Sequence, residues 1–232
     1  MKVGLTIDAA GAPNDFFTLL DILNDYEIRS TFFCGVKIQP EILKSIYEKD
    51  HEIGSHTYSH AASFSSLAFE EKELDIRIGH LWLIDTLSRD FEDATVKGFR
   101  VPFYNFDSDI PRILEGLDYS WDSSKAYFPI LGSPFKPERY GEIIELPSIH
   151  PDDHTMLRRL GLSENQVLKT WIKCFELSKD VFVWGIHPYI CAENDSRIEM
   201  LKAFIDYVME NEGVFLTMSE IAEEMRLYLT RI

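Results

Sequence analysis

Cysteine is scarce in this chain: Cys34, Cys174 and Cys191 are three in number, far apart, and form no CxxC. That argues against a disulfide framework or a cysteine zinc site, and it fits a reducing compartment. Glycine (12) and proline (10) are too few for a collagen-like or low-complexity architecture. Positive charge is also short, with 23 Lys+Arg against 39 Asp+Glu and a net charge of −16. A polyanionic main partner, nucleic acid or an anionic membrane surface, is therefore not expected, although a local basic pocket for an anionic substrate is compatible with this balance. No apolar run reaches the roughly 18 residues that a transmembrane helix needs. The opening MKVGLTID reads as a strand, without an apolar segment closed by a small-residue cleavage site, so the expected location is the cytoplasm. What is present is ample core material: 45% of the 232 residues are hydrophobic and 13% aromatic, which excludes disorder for the bulk of the chain.

The hydrophobic pattern alternates between two periods. Short apolar runs at 2–8, 29–34, 51–55, 97–100, 119–122, 142–146, 181–186 and 214–216 read as buried strands. Segments with helical spacing lie between them, at 14–26, 40–49, 69–91, 108–117, 163–177, 196–211 and 219–228, with Ser163 placed to cap its helix. Residues 123–140 are richer in Pro, Gly and Ser and read as an irregular surface loop. No linker divides the chain. Strands alternating with helices predict a parallel sheet, and about seven such repeats predict a single-domain α/β fold of distorted (β/α)7 barrel type spanning 1–232. In such folds the chemistry sits at the carboxyl ends of the strands.

Those ends carry ionisable residues. The first strand ends at Asp8, the third leads into Ser55-His56-Thr57-Tyr58-Ser59-His60, and the next into Arg100-Val101-Pro102-Phe103. Trp121-Asp122 and Trp184-Gly185-Ile186-His187-Pro188 end two later strands. His56 and His60, spaced i, i+4, would share one face of a helical turn and could hold one metal ion. Asp8 is a candidate general base or metal ligand, or a cap for a loop or the next helix. Arg100 and Asp122 are candidates to pair, either structurally or to orient a base. His187 is a candidate general acid, or a buried histidine bonded to backbone. Trp121, Trp184, Phe103 and Tyr104 are candidates for a sugar-binding surface, although aromatics at strand ends more often belong to the core. The acidic stretch 70–75 reads as a solvated helix face.

In this order (TID, HTxxH, RxP, Trp-Asp, His-Pro) the five segments resemble the polysaccharide deacetylases of carbohydrate esterase family 4, with the NodB-like fold. Ser30-Thr31-Phe32-Phe33 is similar to that family's second strand. The resemblance implies a distorted (β/α) barrel and the removal of an acetyl or formyl group from an amino sugar or related amide. It places Asp8 at the base, His56 and His60 at the metal, His187 at the acid that protonates the leaving amine, and the N–H near Phe103 at the oxyanion. Arg100, through an acid such as Asp122, would steady the base. The implied cofactor is a divalent metal, zinc first, with cobalt or nickel as substitutes and Asp8 as a further ligand. One departure matters: the family's second acid of this first motif falls on Ala9 or Ala10. That leaves open a metal-independent amidohydrolase resembling allantoinase, or a non-catalytic saccharide-binding relative. The expected partner is a small-molecule or saccharide substrate.

Overall fold

In the computed structural model, residues 1–9 and 12–230 are described. The strands are β1 (Lys2–Asp8), β2 (Thr31–Cys34), β3 (Glu52–Ser55), β4 (Gly98–Phe99), β5 (Trp121–Asp122), β6 (Ala126–Tyr127), β7 (Glu138–Tyr140), β8 (Ile143–Glu145), β9 (Ser148–Ile149), β10 (Val181–Ile186) and β11 (Val214–Phe215). The helices are α1 (Pro13–Asp25), α2 (Pro40–Glu48), α3 (Phe69–Leu87), α4 (Asp109–Glu115), α5 (Glu164–Leu177), α6 (Pro188–Cys191), α7 (Asp195–Glu210) and α8 (Met218–Leu229). One sheet runs β10-β1-β2-β3-β4-β5-β8-β7, with β11 also beside β1, and every pairing in it is parallel except β7 with β8. The sheet curls as a half-barrel, and the separate β6–β9 pair packs beside β10. The α/β architecture is thus the one expected. The interval 123–140 is less irregular than its composition predicts, since β6 and β7 lie in it. These strands are two and three residues long, too short to show a period.

Burial explains the strand sequences. The interior of β1 and all of β10 (VFVWGI) are buried, because helices cover the sheet and leave no wet face. α1 begins at Pro13, whose missing N–H costs nothing in a first turn, and its buried Phe16, Leu19, Leu20 and Leu23 lie on one stripe. Outside β10, Trp171 of α5 meets Trp184 edge-on at 4.8 Å, and Phe204 of α7 meets Trp184 at 4.6 Å. The three cysteines are free and buried. No helix among the described residues is long and apolar enough to cross a membrane.

Register carries the fold into the site. Ile7 stands beside Ile186, so the next residues, Asp8 and His187, emerge side by side. Ser55 stands beside Phe99, which brings out His56 next to Arg100. Phe99 stands beside Asp122, which sets Ser123 against Arg100.

Candidate active site

Arg100 is 1% exposed and spends its guanidinium on four contacts. Nη1 donates to Asp8 Oδ1 at 2.8 Å and to Thr6 Oγ1 at 3.0 Å. Nε donates to the carbonyl of Ser123 at 3.0 Å and Nη2 to its hydroxyl at 2.8 Å. The same guanidinium lies over the Phe33 ring, 4.1 Å from its centre. Burial alone would raise the Asp8 pKa. The charges of Arg100, His56 and His187 outweigh it and bring Asp8 down to about 2, so the carboxylate is ionised at any ordinary pH.

His187 faces the other oxygen of Asp8, with Nε2 to Oδ2 at 3.9 Å. Its Nδ1 donates to Asp153 Oδ1 at 2.6 Å, and its backbone N–H donates to Asp153 Oδ2 at 2.8 Å. Burial works against the imidazolium, but the Asp153 charge and hydrogen bond, helped by Asp8 and Asp152, push its pKa up to about 9. His187 is therefore protonated at neutral pH. Asp153 is fully buried and also accepts from Cys191 Sγ and from the His154 N–H.

The histidine pair is built differently from expectation. Residues 56–60 do not form a helical turn, and Thr57 and His60 have φ of 64° and 53°. Spacing alone could not show this, because two left-handed residues bend the chain instead of winding it. The rings still meet, with centroids 5.1 Å apart at 68°. Asp75 on α3 fixes the bend, accepting the N–H of Tyr58 at 3.1 Å and of Ser59 at 2.7 Å, and the Ser59 hydroxyl at 2.7 Å. It is buried, contrary to the reading of 70–75 as solvated, as is Lys72, which pairs with Asp107 and Asp109. His56 Nδ1 donates to the Arg100 carbonyl at 2.8 Å, which frees Nε2 as an acceptor. Burial brings the His56 pKa down to about 4 and lowers that of His60, so both are neutral.

Two expectations are corrected. Asp122 does not meet Arg100 by a hydrogen bond. β5 and β8 run in register with Asp122 beside Glu145, so the two carboxyls face each other, and the Ser124 hydroxyl also donates to Asp122. Burial raises both pKa values, and the Asp122 charge raises that of Glu145 further, conditions under which the pair would share a proton. Trp121 does not line the site. Its ring packs edge-on to Phe33 at 5.7 Å and its Nε1 donates to Ser219 Oγ, so the indole fills the core. Trp184 is core as well, packed between Trp171 and Phe204. Phe103 and Tyr104, by contrast, line the same cavity as Asp8, His56, His60 and His187. Its volume is about 440 Å³. Both are left-handed, at φ of 59° and 55°, and Phe103 is half exposed with its ring edge-on to His60 at 5.0 Å.

A family model described as polysaccharide deacetylase matches residues 1–121. The chain belongs to the polysaccharide deacetylase family. It is 23% identical over 261 residues to the peptidoglycan deacetylase of Helicobacter pylori, covering 95% of this chain and 85% of that protein. Among solved structures it is similar to a Mycobacterium smegmatis protein provisionally described as a polysaccharide deacetylase, with TM-score 0.77, 21% identity, and 98% and 90% of the two chains covered. It is also similar to a Bacillus anthracis protein described as a family 4 pseudoenzyme, with TM-score 0.68, 17% identity, and 95% and 65% covered. At these identities the solved structures speak for the fold.

Deacetylases of this family generally depend on a metal, and the donors here meet that need in part. Two neutral imidazoles, one with its tautomer fixed, suit a zinc-like ion. The third protein ligand is the shortfall: Ala9 has no donor atom, Ala10 (outside the described residues) has none either, and Asp8 is bound to Arg100. Among the described residues, no three His, Cys, Asp or Glu groups converge on one point.

Proposed function

We propose that this protein hydrolyses the C–N bond of an N-acetyl or N-formyl amino sugar or a related amide. One observation carries the reading: Asp8 as carboxylate and His187 as imidazolium face each other across 3.9 Å at the cavity floor. Each is already in the protonation state its role requires. Asp8 accepts the proton of the attacking water, and His187 delivers a proton to the amine as the bond breaks. Arg100 and Asp153 act as positioning residues, each fixing one partner from behind. The N–H near Phe103 is assigned to the oxyanion. Tyr104 and Phe103 shape the wall beside the sugar.

A carboxylate as acidic as Asp8 is a weak base, because Arg100 and His187 hold its charge so firmly. His56 and His60 are the residues we assign to a divalent ion, zinc by its affinity for imidazole, with cobalt or nickel as substitutes. When bound, such an ion supplies acidity to a water ligand and polarises the acyl oxygen. The alanines and the engagement of Asp8 with Arg100 favour a second reading, an amide hydrolase or saccharide-binding relative that works without metal. Turnover insensitive to chelators would select the first of these. Ligand binding without turnover, unchanged in Asp8→Asn, would select the other.

The deciding experiment is acetate and free-amine release from N-acetylated amino sugars by the wild type and Asp8→Asn. Loss of the base should lower the rate by roughly 10²–10⁴-fold. Wild-type release that persists in Asp8→Asn would remove Asp8 from the chemistry.

A further inference from the structure

Two cations in the cavity wall have no part in the hydrolysis assigned to Asp8 and His187. Lys37 follows β2, and Arg159 ends the turn 155–159. Both are exposed. Among the described residues, neither has a carboxylate within 4 Å, whereas every other described arginine has one. The contrast is sharp at Arg158, the immediate neighbour, which binds Glu193 at 2.5 Å. A chain with 39 acidic residues leaves these two cations without a counter-charge at the mouth of its main cavity.

The acids that share the wall do not cancel them. Asp8 is neutralised from behind by Arg100, and Asp152, held by the Thr155 N–H at 2.7 Å, makes no ion pair with either cation and is one charge against two. Arg100 offsets Asp8 and Asp153 offsets His187, so Lys37 and Arg159 stand against Asp152 alone in the wall of a protein of net charge −16. A cleft of one sign within low-dielectric walls concentrates ligands of the other sign.

Building on the N-acyl hydrolase reading, we propose that the substrate bears an anionic group, carboxylate or phosphate, apart from its acyl group, and that Lys37 and Arg159 hold that group. A guanidinium matches either anion with two parallel donors, and an ammonium adds a point charge. A neutral amino-sugar polymer would leave both cations unused.

The test is calorimetric binding to the full chain of three matched probes: N-acetylglucosamine, its 6-phosphate, and the corresponding 6-carboxylate. At least one anionic probe should bind about tenfold or more tightly than the neutral sugar at low salt, and the advantage should shrink as ionic strength rises. Which anion gains more identifies its source. In the double variant Lys37→Gln, Arg159→Gln the ratio should fall to about one; both side chains are exposed, so the fold is retained. Equal affinities, an advantage that survives in the double variant, or no binding of either anion overturns the proposal. Acetate release is measured separately. Release from the neutral sugar without anion preference leaves the hydrolase standing and removes the anion site, whereas anion preference without release from any probe does the reverse.

Discussion

Asp153→Asn isolates what one buried charge does for the acid. Asparagine keeps the size of the side chain and one oxygen for His187 Nδ1, but it removes the negative charge and turns an NH2 toward the His187 N–H that Oδ2 accepts in the wild type. Asp8 and Asp152 remain to offset burial, so the His187 pKa should fall from about 9 to about 6.5. That drop corresponds to about 3.4 kcal/mol at 1.36 kcal/mol per pH unit. At pH 8 the protonated fraction would go from about 0.9 to about 0.03, a loss of about 30-fold in kcat/KM, while at pH 6 the change should stay below about twofold. The assay is acyl release across pH 5–10, with the alkaline limb of the profile as the readout. An alkaline limb still near 9 would refute the assignment, as would an equal loss at every pH, which would mean that Asp153 acts through orientation alone. Stability gives an independent readout. Because the folded pKa of His187 is raised, its contribution is complete below about pH 6.5 and is lost as pH rises through about 9. The difference in unfolding free energy between wild type and Asp153→Asn should narrow over that window.

The same geometry sets other outcomes. With two protein donors, a divalent ion should come off in chelator and return when zinc is added, and His56→Ala should abolish both its return and activity. One zinc per chain surviving chelator would show that a third ligand has moved in. Glu145→Gln replaces a carboxyl that must share a proton with one that is permanently neutral, so denaturant unfolding at pH 7 should change by no more than about 1 kcal/mol. Both carboxyls of that pair are raised, so the wild type loses stability as pH climbs from about 4.5 into the pair's own range, and Glu145→Gln should flatten this slope. A Glu145→Gln loss as large as that of Glu145→Ala would contradict the shared proton. Gly98→Ala would drive a methyl into the Trp121 ring, so it should cost at least about 2 kcal/mol and about 4–8 °C of melting temperature; an unchanged melting temperature would show that the indole can move aside.

Much of the site is legible in the sequence because strand tips are marked locally. An apolar run that stops at Asp8, His56, Arg100 or His187 records both the strand and the place where its side chain enters the cavity. Partnership between tips is not recorded locally. Arg100 meets Asp8, 92 residues away, and not Asp122, because register turns the Asp122 carboxyl toward Glu145. The partner of His187 comes from the segment 147–161, which lies outside the strand tips marked in the sequence, and nothing in Asp152-Asp153 tells which carboxylate turns inward. Trp121 carries no sign that the neighbouring strand offers a glycine for its ring to cover. The histidine bend rests on Asp75 from a distant helix, so HxxxH could give the pair but not its backbone.

The pairing of β1 with β10 joins residues 2–8 to residues 181–186, and this makes turnover a reporter of assembly across that span. The stretch that matches the family model, 1–121, holds Asp8, Arg100, His56 and His60, but neither His187 nor Asp153. A polypeptide growing from its N-terminus would therefore possess the histidine pair proposed for the ion and the proposed base well before the proposed acid. Contacts of such long sequence separation form late and slowly. During refolding, zinc uptake and enzymatic activity should return on separate clocks, with activity marking the moment β10 docks beside β1. A substitution that frays β10 should silence turnover while leaving the histidine pair able to bind its ion.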